Sequence, residues 1–200
     1  VLWRIATPNV LTAAMMVCVP IADAWFVGQL GTTALASLAL VFPLQSLMQM
    51  MAGGAIGGGT ASAVARALGA GNQEAADTAA WHAIVIGLVM AALYMVVLGF
   101  FARPMFALFG AQDDVLDGAV AYAQIAFGGA ASVWALQICF AILRGSGDTA
   151  TPARAVLGSS IVQIGLSGAL TLGWGPFPQL GVIGPAVAIV IAMAGGAAYM

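Results

Sequence analysis

Asp23 is the one acid in a long uncharged reach of this sequence. Between Arg4 and Arg66 no other charged residue occurs. It sits in "CVPIADAWFVGQLGTTALA", residues 18–36, where a carboxylate withdrawn from water needs polar company. Ionisable groups in such apolar runs face a bundle interior or an aqueous cavity and mark ion or substrate paths. Such an aspartate could take up and release a proton. It could also ligate Na⁺ if other oxygens converge on it. The plainer alternative is an acid at a helix end, resting at the outer interface, because the "GQLGT" turn follows shortly after. Pro20 precedes it in the same helical run. A proline inside a helix removes a hydrogen bond and kinks the axis, so Pro20 is expected to act as a hinge beside Asp23.

A second polar set is Ser160, Gln163, Ser167 and Thr171. Steps of +3, +4 and +4 put all of them on one face of a helix. Their oxygens could help coordinate a cation or hydrogen-bond Asp23, or they could serve only as bonds between helices. A third set is Gln45 and Gln49 at i,i+4, with Met48 and Ala52 beside them. Neutral amides among methionines suit a substrate cavity that takes varied, partly apolar molecules. Met15, Met16, Met50 and Met51 could extend that wall or be plain apolar filler. His82 and Trp81 read as interfacial residues. Cys18 and Cys139 have no metal spacing and read as small core residues. No HExxH, GxSxG or GxxxxGK[ST] pattern occurs. The sequence therefore offers no catalytic residues, no cofactor site and no metal site beyond a possible Na⁺ at Asp23, and it does not read as an enzyme.

The elements that hold these residues are membrane spans. Charged residues make up 6% of the 200-residue chain and hydrophobic residues 62%, against about 25% charged in a soluble domain. The chain reads as all-α and polytopic. Lysine is absent and the net charge is −2, which argues against nucleic acid as a partner. A spanning helix needs about 20 apolar residues. Charges, Gly and Pro divide the chain into six such spans, near 5–27, 33–64, 79–101, 119–143, 153–173 and 182–200. The middle of "RPMFALFGAQDDVLD" reads as a short amphipathic helix at the interface. Pro8 reads as a helix-start residue and Pro43 as a kink in the second span. "GGAIGGG" at 53–59 offers Gly53/Gly57 and Gly54/Gly58 at the spacing that lets helices approach closely. Gly128, Gly129 and Ser132 read as a second close contact. With a cytoplasmic N-terminus, Arg4, Arg66, Arg144 and Arg154 lie inside and only Arg103 outside, as the positive-inside rule requires. The chain opens on Val1 and closes on Met200 within an apolar run, and is expected to be a piece of a longer protein.

Taken together, the motifs resemble one family. "ADAWFVGQLGTTALASLALVFPLQSLM" resembles the helix 1–2 signature of multidrug and toxic compound extrusion (MATE) transporters. "ASAVARALGAGNQEAA" is similar to their helix 2–3 loop, "FALFGAQDDVLDGAVAYAQI" to the passage into helix four, "AILRGSGDTATPA" to the helix 4–5 loop and "LGWGPFPQLGVIGPAVA" to the entry of helix six. The resemblance runs in order along the whole chain. It implies an N-terminal six-helix lobe, residues 1–200, of a twelve-helix transporter whose C-terminal lobe is missing here. It implies a cation-coupled antiporter, driven by H⁺ or Na⁺, that exports organic cations, drugs and amphipathic toxins across a bacterial or archaeal plasma membrane. It implies a coupling role for Asp23 and bending at Pro20. The sequence departs from the family pattern N-x-x-x-D on helix five, where Gln163 and Ser167 stand, and on helix six, where Pro185 and Ile189 stand. Loss of the second carboxylate shifts the expectation toward H⁺, while Gln163 and Ser167 could still supply oxygens to Na⁺. The alternatives are a lipid-linked saccharide flippase of the same superfamily, which would need basic residues at mid-depth that are lacking, and a non-transporting membrane subunit, which would not need Asp23.

Overall fold

The computed structural model describes residues 2–200, with side chains from Thr12 onward. The side chains of Arg4 and Pro8 lie outside the described residues. The chain is helical throughout. Helix α1 is Leu2–Gly28, α2 Thr32–Gln49, α3 Gly57–Gly69, α4 Gln73–Phe100, α5 Ala102–Leu108, α6 Asp113–Gly128, α7 Ala130–Gly145, α8 Ala150–Leu172 and α9 Gly184–Tyr199. Among the described residues the apolar, membrane-length segments are Thr32–Gly69, Gln73–Phe100, Ala150–Leu172 and Gly181–Tyr199. The pair α6 and α7 forms another span, bent by 46°, and the apolar α1 completes a six-helix bundle. It is a multi-pass membrane protein, and large apolar side chains such as Ile21, Leu88 and Ile161 stand exposed on its outside, as lipid-facing surfaces require.

Two spans depart from the regular helices that their composition leads one to expect. The second, Thr32–Gly69, passes through a π-helical stretch at Met50–Ile56. There the Gly57 N–H donates to the Ala52 carbonyl, and a Cβ on Gly57 would lie 2.6 Å from that oxygen. Only glycine tolerates such an approach. The same glycines admit α7. A Cβ on Gly53 would meet the Gln137 amide at 3.2 Å, and one on Gly57 would meet Ala141 at 3.7 Å, whereas Gly54 and Gly58 face open space. One of the two small-residue rows therefore packs.

The fourth span, expected as one helix over 119–143, breaks at Gly129 between α6 and α7. Val190 of α9 occupies the place a side chain at 129 would need. Both Ser132 N (3.0 Å) and Ser132 Oγ (2.7 Å) donate to the Gly129 carbonyl and satisfy the backbone exposed at the bend. Gly128 makes no comparable contact. The short helix expected in the 3–4 connection is α5, tied to α6 by an ion pair between Arg103 and Asp117. Helix α4 begins at Gln73, before the apolar run, because the Asn72 side chain caps it by accepting from Ala75 N at 2.9 Å.

The main core lies where α2, α4, α6 and α7 meet, around Met48, Phe106, Tyr122, Phe127 and Trp134. Tyr94 stacks on Phe127, with ring centroids 6.0 Å apart. Helices α1, α8 and α9 form the other side of the bundle, with α8 between α1 and α9.

Candidate ion-coupling site

Asp23 lies one and a half turns before the end of α1 and is 7% exposed. It is not a solvated helix-end acid. Alternate traverses give α1 and α8 the same direction, so each level of α1 meets one level of α8. Ser167 Oγ of α8 donates to Asp23 Oδ1 at 2.5 Å. One turn earlier on α8, Gln163 Nε2 donates to Asp23 Oδ2 at 3.4 Å, a long bond. Both carboxylate oxygens thus face polar groups from a single neighbouring helix.

The polar stripe of α8 turns inward along its whole length. Ser160, Gln163, Ser167 and Thr171 are all buried. In a lipid-facing helix such a stripe would be costly, and burial against α1 and α9 is how the fold accommodates it. Thr171 is 0% exposed and its Oγ1 has no hydrogen-bond partner among the described residues.

Apolar rings cover the outward side of this cluster. Phe26 stands one turn beyond Asp23 and meets Trp174 edge-on, centroids 5.7 Å apart. The two rings pack over Gly168, where a Cβ would lie 2.8 Å from Phe26 Cζ and 3.1 Å from Trp174 Cζ3. Gly173 makes the left-handed turn (φ 73°) that sends the chain from α8 into this cover. The loop then returns, with Leu180 N donating to the Leu170 carbonyl at 2.7 Å.

Tyr122 of α6 is a further buried polar group of the bundle interior. Its Oη donates to Gln45 Oε1 of α2 at 3.2 Å. The sequence reading missed Tyr122. Its only signal was a hydroxyl within an otherwise apolar run of the fourth span.

The residues expected to line a substrate cavity differ in burial. Gln45 is half-buried and engaged with Tyr122, and Gln49 is half-buried. Met48 is 1% exposed and packs in the main core. It presents no cavity surface in this conformation, because a flexible thioether fills the gap between facing helices. Met16 and Met50 point outward, as does Cys18, which is therefore not a core residue. Cys139 is half-buried. Pro20 is half-buried within a continuous α1. Trp81 and His82 are exposed near the start of α4.

Among the described residues, no three His, Cys, Asp or Glu side chains gather to hold a metal. One carboxylate, one hydroxyl and one amide do converge. That donor set suits a proton or a monovalent, oxygen-seeking cation, not a transition metal.

Known proteins share this fold. The family model described as MatE matches residues 8–167. The FAD transporter of Shewanella oneidensis is 30% identical over 188 residues, which is 94% of this chain and 41% of that protein. The crystal structure of MATE in the straight conformation superposes with a TM-score of 0.88 at 27% identity, covering 98% of this chain and 42% of the other. That of MATE in the bent conformation gives 0.86 at 26%, with the same coverage. The chain thus spans about two-fifths of the length of the relatives it matches.

Proposed function

Since the chain belongs to the MatE family, we propose that it forms the N-terminal lobe of a cation-coupled antiporter. The full-length protein exports organic cations, drugs and other amphipathic toxic compounds. A second lobe of the same polypeptide supplies the rest of the cavity wall. The observation that carries this reading is the buried Asp23 carboxylate, held by Ser167 and Gln163 across α1 and α8. An isolated carboxylate inside a membrane protein is expensive. Its use is to bind and release the coupling ion.

The ion is H⁺ or Na⁺. A proton would neutralise Asp23 in place, leaving Ser167 and Gln163 as neutral partners. Na⁺ would need the Ser167 hydroxyl oxygen and a Gln163 amide turned to present its own oxygen. Either event removes the charge that fixes α1 to α8. Pro20, one turn inward on α1, is the residue at which α1 then bends, since its ring already excludes one hydrogen bond of the helix. The relatives crystallised in straight and bent conformations support two shapes for this lobe. Gln45 and Gln49 would meet substrate on the α2 side once the second lobe is in place, and Met48 would join them only after repacking.

The arginines favour a cytoplasmic N-terminus. Arg66, Arg144 and Arg154 flank the connections at one end of the bundle, where Gly145 packs on Ala61 and Val64, and Arg103 stands at the other. In a bacterial or archaeal plasma membrane this puts Asp23 in the outer half. The test is efflux of ethidium from proteoliposomes containing the full-length transporter, driven separately by a pH gradient and by a Na⁺ gradient. FAD belongs in the same substrate panel, given the Shewanella relative. The reading requires that one gradient drives efflux and that Asp23→Asn abolishes it.

A further inference from the structure

Beyond the Asp23 trio, Thr171 is the member of the α8 stripe whose hydroxyl oxygen is fully buried without a hydrogen-bond partner among the described residues. We infer that Thr171 is a positioning residue for the coupling ion, offering the next oxygen between Asp23 and the outer face. This inference rests on the antiporter reading above. Thr171 lies one helical turn beyond Ser167 on the same face of α8. It is completely buried, and Oγ1 makes no hydrogen bond to any described residue. A threonine hydroxyl inside a helix commonly bonds the carbonyl one turn back, as Thr60 does to Ile56 at 2.8 Å. Thr171 does not. A valine would fill the same space without leaving a polar atom unsatisfied, so the packing alone does not explain a hydroxyl here.

Its surroundings point to the ion route. On one side is Ser167, already committed to Asp23. On the other is the returning loop, pinned to α8 one residue earlier through Leu170. Across from it is the first residue of α9, Gly184, where a Cβ would lie 2.6 Å from Thr171 Oγ1 and 2.7 Å from its backbone N. In this conformation the hydroxyl is sealed between two helix backbones. When α8 and α9 part, it becomes the first oxygen available to a cation leaving or reaching Asp23. The other buried orphan, Trp134 Nε1, lies in the main core beside the Tyr94 ring. It can offer only a donor, which a cation does not use.

The ligand chemistry is a small cation accepted by a hydroxyl oxygen, either hydronium-bearing water or Na⁺. The experiment uses the full-length transporter in proteoliposomes, with separate pH-gradient and Na⁺-gradient arms. Initial efflux rate is read against ion concentration, and ethidium binding without a gradient reports folding. Thr171→Val and Thr171→Ala, two ways of removing the hydroxyl, are expected to weaken the apparent affinity for the coupling ion roughly tenfold or more, the loss of one hydrogen-bond partner to a charged group. Thr171→Ser is expected to restore it. The arm that responds identifies the ion. Parent-like affinity in both hydroxyl-free variants, with Asp23→Asn inactive, overturns the inference and leaves the antiporter reading standing. Equal loss in Thr171→Ser would make Thr171 a packing residue and also overturn it. Full coupling in Asp23→Asn would overturn both together.

Discussion

Replacing Gly168 by alanine tests whether the aromatic cover and the Asp23 cluster are one mechanical unit. The new Cβ would lie 2.8 Å from Phe26 Cζ, 2.9 Å from Phe26 Cε1 and 3.1 Å from Trp174 Cζ3. Ordinary carbon contacts fall at about 3.5–4.0 Å, so Phe26 must retreat by several tenths of an ångström. Phe26 is buried and is held by Trp25 as well as Trp174, which limits side-chain escape. The remaining freedom is to part α1 from α8. That motion also stretches the 2.5 Å bond from Ser167, the residue adjacent to 168. Overpacking of this kind costs about 1–3 kcal/mol. At roughly 2–4 °C per kcal/mol for a domain of this size, the melting temperature of the lobe in detergent should fall by several degrees. Adding Phe26→Leu should recover much of that loss, because it removes the atoms that collide. A Gly168→Ala protein that melts like the parent would refute the contact. A loss that Phe26→Leu does not relieve would refute the mechanism.

Other perturbations sort the remaining contacts. Gly184→Ala should be at least as damaging, since the atoms it meets include backbone N of Thr171 and C of Leu170, at 2.7 and 2.9 Å, which cannot rotate away; a thermal melt reads this. Tyr122→Phe removes the donor to Gln45 and should cost about 0.5–2 kcal/mol, seen as a modest melting shift that Gln45→Leu does not add to. Arg103→Gln breaks an ion pair whose side chains are 60% and 64% exposed, so its effect should stay below about 1 kcal/mol and shrink further in high salt. Asp148 gives a pH signature outside the membrane. The Thr151 hydroxyl, at 2.6 Å, and the N–H groups of Thr151 and Ala150 hold its carboxyl below the ordinary value of 3.8. Its stabilisation of the α8 start is therefore complete above that value and is lost as pH falls through the lowered one. Asp148→Asn should flatten the acid limb of a pH–melting curve and leave the neutral plateau of the curve's shape unchanged.

Much of this architecture was legible because apolar length and charge placement are strong signals in a membrane chain. The six apolar runs, the short helix at Ala102–Leu108 and the inward stripe on α8 all follow from spacing. The breaks do not. The bend at Gly129 depends on Val190 arriving from α9, and the π-helical stretch depends on α7 approaching Gly53 and Gly57. Those are tertiary events, and a glycine in the sequence marks only their possibility. The site was legible in its types and not in its assembly. Asp23, Gln163 and Ser167 could each be singled out, but that Ser167 takes the short bond and Gln163 the long one is set by the relative level of α1 and α8. Tyr122 was invisible because one hydroxyl among apolar residues carries no period. Met48 packs in the main core here, and its type did not foretell that, because a methionine serves core and cavity equally well and only packing decides between them.

The central claim is that Asp23 carries the coupling. Its most direct test is gradient-driven ethidium efflux by the full-length transporter bearing Asp23→Asn, alongside a thermal melt of the same preparation. The account predicts a protein that melts close to the parent, since the amide can keep partners in Ser167 and Gln163, yet shows no efflux above the gradient-free leak under either ion gradient. Efflux at the parental rate in a folded Asp23→Asn protein would contradict it.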